Sequence, residues 1–191
     1  MAIQIFIDQG HNPSGAPNAG AEGNGVIEQD VNYNVGKFLE GFLKNDYRFD
    51  VRVSRPTPDT VLGINNSTSL KARVDAANEW GADYFISIHT NSNPNPNVNG
   101  SEVYVYSEQS EAYTIARDIL QNIVSYVGTK DNGVRINRTF YVLRKTEMPA
   151  LLIELGYLSN AEDAQKLLNN QYDFAYGIYM GILQFFGYQP L

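Results

Sequence analysis

Apolar residues recur along the chain in two alternating patterns, one typical of strands and one typical of helices. Short runs rich in β-branched residues predict strands, whereas apolar residues spaced three and four positions apart predict amphipathic helices. The predicted strands are Ile3–Asp8, Val51–Ser54, Tyr84–Ile88, Glu102–Tyr106, Thr139–Leu143 and Leu151–Glu154. The predicted helices are Val26–Asn45, Leu70–Trp80, Glu108–Val127, a segment that ends at Leu168, and Tyr172–Phe186.

Strands that alternate with helices predict an α/β fold. We expect a single domain over residues 1–191, with a twisted, mostly parallel central sheet of about six strands flanked by about five helices. The segment Ser159–Glu162 has the form of a capping box and predicts the start of the helix that ends at Leu168. The Asn- and Pro-rich tract 91–100 predicts a long exposed loop at the rim of the sheet.

Composition and charge exclude several classes of protein. The chain has 14 Lys+Arg against 21 Asp+Glu, a net charge of −7, which argues against a general nucleic-acid binder and against docking to anionic lipid. It has no cysteine, so disulfides, thiolate zinc sites and cysteine nucleophiles are excluded. We find no apolar run of about 18 residues and therefore expect no membrane partner. No basic segment with a cleavage site opens the sequence, so we expect no signal peptide in this chain.

The two histidines follow two of the predicted strands. His11 comes shortly after Ile3–Asp8, and His89 directly follows Tyr84–Ile88. In open α/β sheets, sites form at the carboxyl ends of the strands, where these two imidazoles could meet. A single histidine at a strand end is more often a hydrogen-bonded structural residue. The equivalent placement of both favours a shared site without excluding the structural role.

Glu28 lies at the start of the first long helix, on the same face as Val31 and Val35. A carboxylate directed at a core is costly unless it meets a cation or hydrogen-bond donors. The helix dipole explains its place along the helix but not its face, whereas a divalent ion explains both. Together, His11, Glu28 and His89 form a donor set that suits zinc in a catalytic site, where three protein ligands leave one position open.

Glu154 ends an apolar run that reads as a buried central strand. A carboxylate at the tip of such a strand is desolvated and acquires a raised pKa, which suits proton transfer near neutral pH. The alternative is a structural ion pair with Arg135 or Arg144. On the residues alone, both roles of Glu154 stay open.

Six motifs occur in order along nearly the whole chain. They are Asp8-Gln9-Gly10-His11, Gly25-Val26-Ile27-Glu28, Arg73 with Ala77-Asn78, Ser87-Ile88-His89-Thr90-Asn91, the strand 100–104, and the segment 141–160, which contains Pro149-Ala150-Leu151-Leu152-Ile153-Glu154. With these motifs the chain resembles the zinc-dependent N-acetylmuramoyl-L-alanine amidases of the amidase-3 family, which cleave bacterial cell walls.

The resemblance implies Zn²⁺ held by His11, Glu28 and His89, with Glu154 as the catalytic acid/base. The implied reaction is hydrolysis of the amide between N-acetylmuramic acid and the L-alanine of the stem peptide, by zinc-activated water. The implied partner is peptidoglycan, and the implied location is the bacterial cell wall.

Further positions are candidates for contact with the substrate. Asn91, Arg55 and Glu102 are candidate substrate-binding residues, and Arg55 with Asp59 resembles an Arg-x-x-Asp element of the family that is either structural or adjacent to the substrate. The stretch 12–15 departs from the usual glycine-rich loop after the first histidine.

Three other functions compete with this hypothesis. A zinc peptidase acting within the stem peptide would use the same chemistry, whereas a glycosidase would use Asp8 and Glu154. A non-catalytic wall-binding module would fit the Asn- and Tyr-rich composition. Since an acidic chain gains no attraction to anionic walls, we expect anchoring to reside in a separate wall-binding domain outside these 191 residues.

Overall fold

The computed structural model describes residues 2–191, which form eight strands and six helices. The strands are β1 (Ile3–Gln9), β2 (Glu22–Gly23), β3 (Val26–Ile27), β4 (Phe49–Val53), β5 (Tyr84–Asn91), β6 (Ser101–Val105), β7 (Asp131–Ile136) and β8 (Ala150–Tyr157). The helices are α1 (Glu28–Lys44), α2 (Asn66–Trp80), α3 (Glu111–Val127), α4 (Tyr141–Lys145), α5 (Ala161–Asn169) and α6 (Gln171–Phe186).

A six-stranded sheet runs through the centre in the order β4-β1-β5-β8-β6-β7, and β2 pairs with β3 in a separate two-stranded ribbon. Every neighbouring pair in the central sheet is parallel except β6 and β8, which are antiparallel. This arrangement confirms the predicted single α/β domain with a mostly parallel sheet. Since β6 runs against β8, the start of β6 lies beside the end of β8, at the same edge as the carboxyl ends of β1 and β5.

Side chains alternate across the sheet and build an apolar core on each face. Along β1, Ile5 and Ile7 face the larger core, which α1, α3 and α6 cover. Phe6 points the other way, into a smaller core that it shares with Val74 of α2 and Val142 of α4. Burial on both faces explains why the inner strands are almost continuously apolar.

The predicted strand Thr139–Leu143 is wrong, because the chain forms the short helix α4 there. The Asn137 side chain accepts hydrogen bonds from the backbone N–H groups of Thr139 and Phe140, which turns the chain just before Tyr141. Val142 and Leu143 then pack in the smaller core. The aromatic and β-branched residues that suggested a strand therefore pack one face of a helix against the core. With α4 the structure has six helices, whereas about five were expected.

Strand β7 lay outside the predicted elements. It contains Asp131, Asn132 and Gly133, which are unfavourable in strands, and most of it is partly or fully exposed. The strand exists because it forms a parallel ladder with the edge of β6. Such a partner is a tertiary feature that local sequence does not show.

The helix predicted to end at Leu168 is present as α5, but its cap differs. Asn160, not Ser159, accepts hydrogen bonds from the backbone N–H groups of Glu162 and Asp163. The Ser159 hydroxyl instead accepts from the backbone N–H of Asn93. This bond ties the Asn-rich loop to the end of β8.

No helix within residues 2–191 combines the length and the apolar character needed to cross a bilayer.

Close packing of α6 against α3 depends on two glycines. A Cβ added at Gly181 would lie 2.3 Å from the Cα of Ile119, whereas at Gly177 it would lie 3.0 Å from the Cα of Ile123. The atoms in the way belong to backbone, so a side chain at Gly181 requires the two helices to separate.

We predict that Gly181→Ala lowers the free energy of unfolding by about 1–3 kcal/mol, since overpacking forces backbone shifts. The matched control is Gly41→Ala in α1, where an added Cβ meets nothing within 4 Å. There alanine raises stability by up to about 1 kcal/mol through helix propensity. Urea unfolding midpoints measure both, and a Gly181→Ala protein as stable as Gly41→Ala would contradict the close approach.

Candidate metal centre and active site

His11, Glu28 and His89 converge at the carboxyl edge of the central sheet. The Nε2 atom of His11 lies 3.2 Å from Oε1 of Glu28, and Nδ1 of His89 lies 3.1 Å from the same oxygen. One donor atom from each residue lies within 4.8 Å of the other two, a spacing at which the group could hold a metal ion. Three segments far apart in sequence therefore supply two imidazoles and a carboxylate to one point.

The backbone around His11 selects the nitrogen that faces this point. His11 has a left-handed conformation, with φ of 67°, and its Nδ1 donates a hydrogen bond to the carbonyl of Asn18 at 3.1 Å. Because a carbonyl only accepts, Nδ1 carries a proton, which leaves Nε2 as the ring nitrogen that faces Glu28. A hydrogen bond of this kind orients metal-binding histidines and fixes their tautomer.

Gly10 makes room for the second imidazole. A Cβ at this position would lie 2.4 Å from Cε1 and 2.5 Å from Nε2 of His89. Any side chain at Gly10 would displace the His89 ring from its place beside Glu28.

The Glu28 carboxylate is buried but surrounded by donors. Its Oε2 accepts from the backbone N–H of Ala21 at 2.9 Å, and its Oε1 accepts from that of Thr90 at 3.2 Å. Burial raises the pKa of Glu28, but the hydrogen bonds and charges of His11 and His89 outweigh it and hold the pKa below its usual range. Glu28 is therefore ionised and fits a position between two imidazoles or against a cation.

The pKa of His11 shifts the other way. Burial lowers it, but the hydrogen bond and the charge of Glu28 prevail, so the net pKa is raised. A metal ion binds neutral imidazole, so a metal that binds His11 must displace the proton that Glu28 stabilises on the ring. The donor set and its orientation fit zinc, which takes histidine and carboxylate ligands.

Glu154 lies next to this group across the sheet. In the strand register it pairs with His89 of β5 on one side and with Glu102 of β6 on the other. Its Oε2 is shielded from solvent and has no hydrogen-bond partner within residues 2–191. Burial raises the pKa of Glu154 well above its usual value, and the negative charges of Glu28 and Glu102 add to the shift.

The structural alternative for Glu154 required an ion pair with an arginine. Arg135 pairs instead with Glu102, and Arg144 forms no ion pair with Glu154 in the part of the chain that the structure describes. Glu154 is thus a carboxyl group with a raised pKa and no fixed partner, which is the state expected of a group that exchanges protons.

A cavity opens directly over these residues. His11, His89 and Glu154 line it on one side. The remaining wall is largely apolar and includes Leu70, Phe140, Val142 and Leu152. A reacting group in this cavity would touch both imidazoles and Glu154.

Asp8 lines the same cavity but is held in an ion pair. Its Oδ1 lies 2.6 Å from Nη1 of Arg73, and its Oδ2 accepts from the Ser87 hydroxyl at 2.8 Å. Burial raises the pKa of Asp8, but the Arg73 guanidinium and the Ser87 hydrogen bond prevail and lower it. Such a carboxylate is a poor partner for Glu154 in the glycosidase mechanism considered above, which needs a free nucleophile or base.

Arg73 is a supporting residue that sequence reasoning did not single out beyond its motif. It is 1% exposed, and its guanidinium donates to the backbone carbonyls of Gln9 and His11 as well as to Asp8. It thereby holds the left-handed turn that carries His11. The only signal in the sequence was its fixed place in the Arg-x-x-x-Ala-Asn motif.

The three candidate substrate-binding residues lie in different surroundings. Asn91 donates to Oε1 of Glu102 at 3.0 Å, and both lie beside Glu154. Arg55 is 1% exposed and lies outside the cavity wall. Its Nη1 donates to the carbonyl of Gln29 and its Nη2 to that of Pro58, so the guanidinium joins the first turn of α1 to the loop that follows β4.

Comparison with known proteins agrees with this architecture. The Amidase_3 family model, described as N-acetylmuramoyl-L-alanine amidase, matches residues 5–184. A Bacillus licheniformis protein named N-acetylmuramoyl-L-alanine amidase CwlM is 38% identical over 172 residues, which is 89% of this chain and 62% of that protein. The chain therefore spans less than two thirds of that relative.

Solved structures show the same fold. The N-acetylmuramoyl-L-alanine amidase from Clostridium difficile 630 matches with a TM-score of 0.86 at 34% identity, over 97% of each chain. The catalytic domain of CwlV from Bacillus (Paenibacillus) polymyxa var. colistinus matches with a TM-score of 0.85 at 32% identity, over 98% of this chain and 99% of that one. A family match over nearly the whole sequence, together with these structures, shows that the chain belongs to the Amidase_3 family of N-acetylmuramoyl-L-alanine amidases.

Proposed function

We propose that this chain hydrolyses the amide bond between N-acetylmuramic acid and the L-alanine of the stem peptide in peptidoglycan. The observation that carries the proposal is the partnerless Glu154 carboxyl group beside the His11–Glu28–His89 group, at one edge of the sheet and facing one cavity. Membership of the Amidase_3 family supports the choice of bond. The proposed place of action is the bacterial cell wall.

We assign Zn²⁺ to His11, Glu28 and His89. The two imidazole nitrogens and the carboxylate oxygen face one another, and the bond from Nδ1 of His11 to Asn18 leaves Nε2 directed at the other two donors. When bound, zinc supplies a Lewis acid that polarises a carbonyl oxygen and makes water nucleophilic near neutral pH.

Glu154 is the proposed acid/base. It takes a proton from the attacking water and passes it to the departing amine nitrogen, which otherwise leaves poorly. Its raised pKa brings the carboxyl group closer to neutral pH, where a group of this kind can both accept and return a proton. A positioned acid/base typically contributes about 10²–10⁴-fold to the rate.

Other residues hold the reacting groups in place. Arg73 and Asn18 fix the His11 turn through its carbonyl and its Nδ1 atom.

The apolar wall formed by Leu70, Phe140 and Val142 limits water around the reacting carbonyl. Low local polarity strengthens the electrostatic interactions of Glu154 and of the ligands with the substrate.

Digestion of purified peptidoglycan tests the reaction type. We expect free N-terminal alanine from untreated protein, none after EDTA, and recovery when zinc is added back, with products identified by mass spectrometry. New amino termini inside the stem would instead identify a zinc peptidase. New reducing ends that persist in EDTA would identify a glycosidase, and saturable wall binding without any product would identify a binding module.

We predict that His89→Ala lowers zinc affinity by more than about 100-fold, because losing a metal ligand weakens zinc binding more than losing a residue that only orients a ligand. Zinc stoichiometry after dialysis and competition with a chelator measure the loss, and hydrolysis should fall with it. Glu162→Gln serves as the control, since Glu162 is exposed on α5 and forms an ion pair with Lys166 of the same helix. A His89→Ala protein that is active without metal would exclude the zinc site.

We predict that Glu154→Gln keeps zinc and loses about 10²–10⁴-fold in kcat, because glutamine has nearly the same shape but cannot carry the proton. Zinc content and steady-state rates are measured on the same preparation, again beside Glu162→Gln. Stoichiometric loss of zinc from Glu154→Gln would reassign Glu154 as a ligand, and unchanged kcat would remove it from the mechanism.

A further inference from the structure

A row of ionisable side chains crosses the carboxyl edge of the sheet on the cavity face. His89 on β5, Glu154 on β8 and Glu102 on β6 pair in register, one strand after the next. On the outermost strand β7, Arg135 pairs with Tyr104 of β6, two residues beyond Glu102 and therefore on the same face. The row thus continues from the metal centre to Arg135.

Glu102 links Arg135 to the rest of this row. It is 1% exposed, and its Oε1 accepts hydrogen bonds from the hydroxyls of Tyr104 and Tyr157 and from the Asn91 amide. Its Oε2 lies 2.9 Å from Nε of Arg135, an ion pair in which the N–H is not aligned for a hydrogen bond. The hydrogen bonds to Oε1 fix the orientation of the Glu102 carboxylate. Its Oε2 attracts the Arg135 guanidinium by charge.

The outer part of the Arg135 guanidinium is available to a ligand. The Arg135 side chain is 51% exposed, and neither Nη atom has a hydrogen-bond partner among residues 2–191. Two parallel donors of this kind match a carboxylate in a bidentate pair. Glu102 would otherwise repel an acidic ligand from this edge, and Arg135 offsets its charge.

The distances suit a peptide that extends from the metal centre. Neighbouring strands lie about 4.8 Å apart, and Arg135 pairs two residues further along β6 than Glu154 does, so the two backbones lie about 12 Å apart. Two extended residues span about 7 Å, and the long arginine side chain covers the remainder. A carboxylate one residue beyond the alanine on the leaving side of the scissile amide therefore falls within reach of Arg135.

We propose that Arg135, held by Glu102, forms a subsite for a carboxylate of the stem peptide on the leaving side of the scissile amide. The proposal rests on the proposed function, since it takes the peptide to be the leaving group. The subsite makes the protein prefer stems with a free carboxyl at the second residue over stems in which that group is an amide.

The test compares N-acetylmuramoyl-L-alanyl-D-glutamate with N-acetylmuramoyl-L-alanyl-D-isoglutamine, both with the γ-carboxyl blocked as a methylamide, as substrates of the zinc-loaded protein. We expect the acid to have a KM about 10-fold or more below that of the amide, as a charge-assisted bond implies. Arg135→Gln should raise the KM of the acid until the two are equal, and Arg135→Lys should keep part of the preference. The control is Arg138→Gln, since Arg138 is exposed over the Tyr106 ring at the far end of β6 and should keep the full preference.

Equal KM values in the unsubstituted protein, or a preference that survives Arg135→Gln, would overturn the subsite. Calorimetric binding of L-alanyl-D-glutamate and L-alanyl-D-isoglutamine, both with the γ-carboxyl blocked as a methylamide, separates this outcome from failure of the proposed function. Selective binding of the acidic dipeptide through Arg135 without cleavage of either substrate keeps the subsite and rejects the amidase reaction. Cleavage of both substrates with no selectivity in KM or binding keeps the reaction and rejects the subsite.

Discussion

The ion pair and hydrogen bonds of the buried Arg73 guanidinium hold together the carboxyl edge of the sheet. A buried charge is tolerated only when it is paired and hydrogen-bonded, and Arg73 meets Asp8 at 2.6 Å and the carbonyls of Gln9 and His11. These contacts join α2 to the end of β1 and hold the left-handed turn at His11. Without them Asp8 would be an uncompensated charge, and the imidazole of His11 would lose its fixed direction.

The same edge gives two carboxylates opposite properties. Glu28 lies between two imidazoles and two backbone N–H groups, so it stays ionised although it is buried. Glu154 has a shielded oxygen without a partner among residues 2–191 and the negative charges of Glu28 and Glu102 nearby, so it holds its proton more tightly. Sites in which one carboxylate binds a ligand and another transfers protons typically have surroundings that push the two carboxyl pKa values apart. The physical difference lies in the donors that surround each group, not in the residue type.

Local sequence predicted most of the sheet because burial on both faces leaves long apolar runs in β1, β5 and β8. It failed at the outer edge, where β7 contains Asp131 and Gly133 and is stabilised only by its ladder with β6. It failed again at α4, where the side chain of Asn137 turns the chain and aromatic residues pack into the smaller core. Both errors concern elements whose stability comes from a partner distant in sequence.

The sequence by itself determined the fold class, the two histidines at strand ends, the inward-facing Glu28 and the carboxylate at the tip of β8. These follow from periodicity and from the high cost of burying a charge, which are local properties. Only the tertiary structure decided that Glu154 lacks an arginine partner, that Arg55 joins the first turn of α1 to a loop, and that Glu102 pairs with Arg135. The register of β5, β8, β6 and β7 sets those neighbours, and register depends on packing of the whole sheet rather than on any one segment.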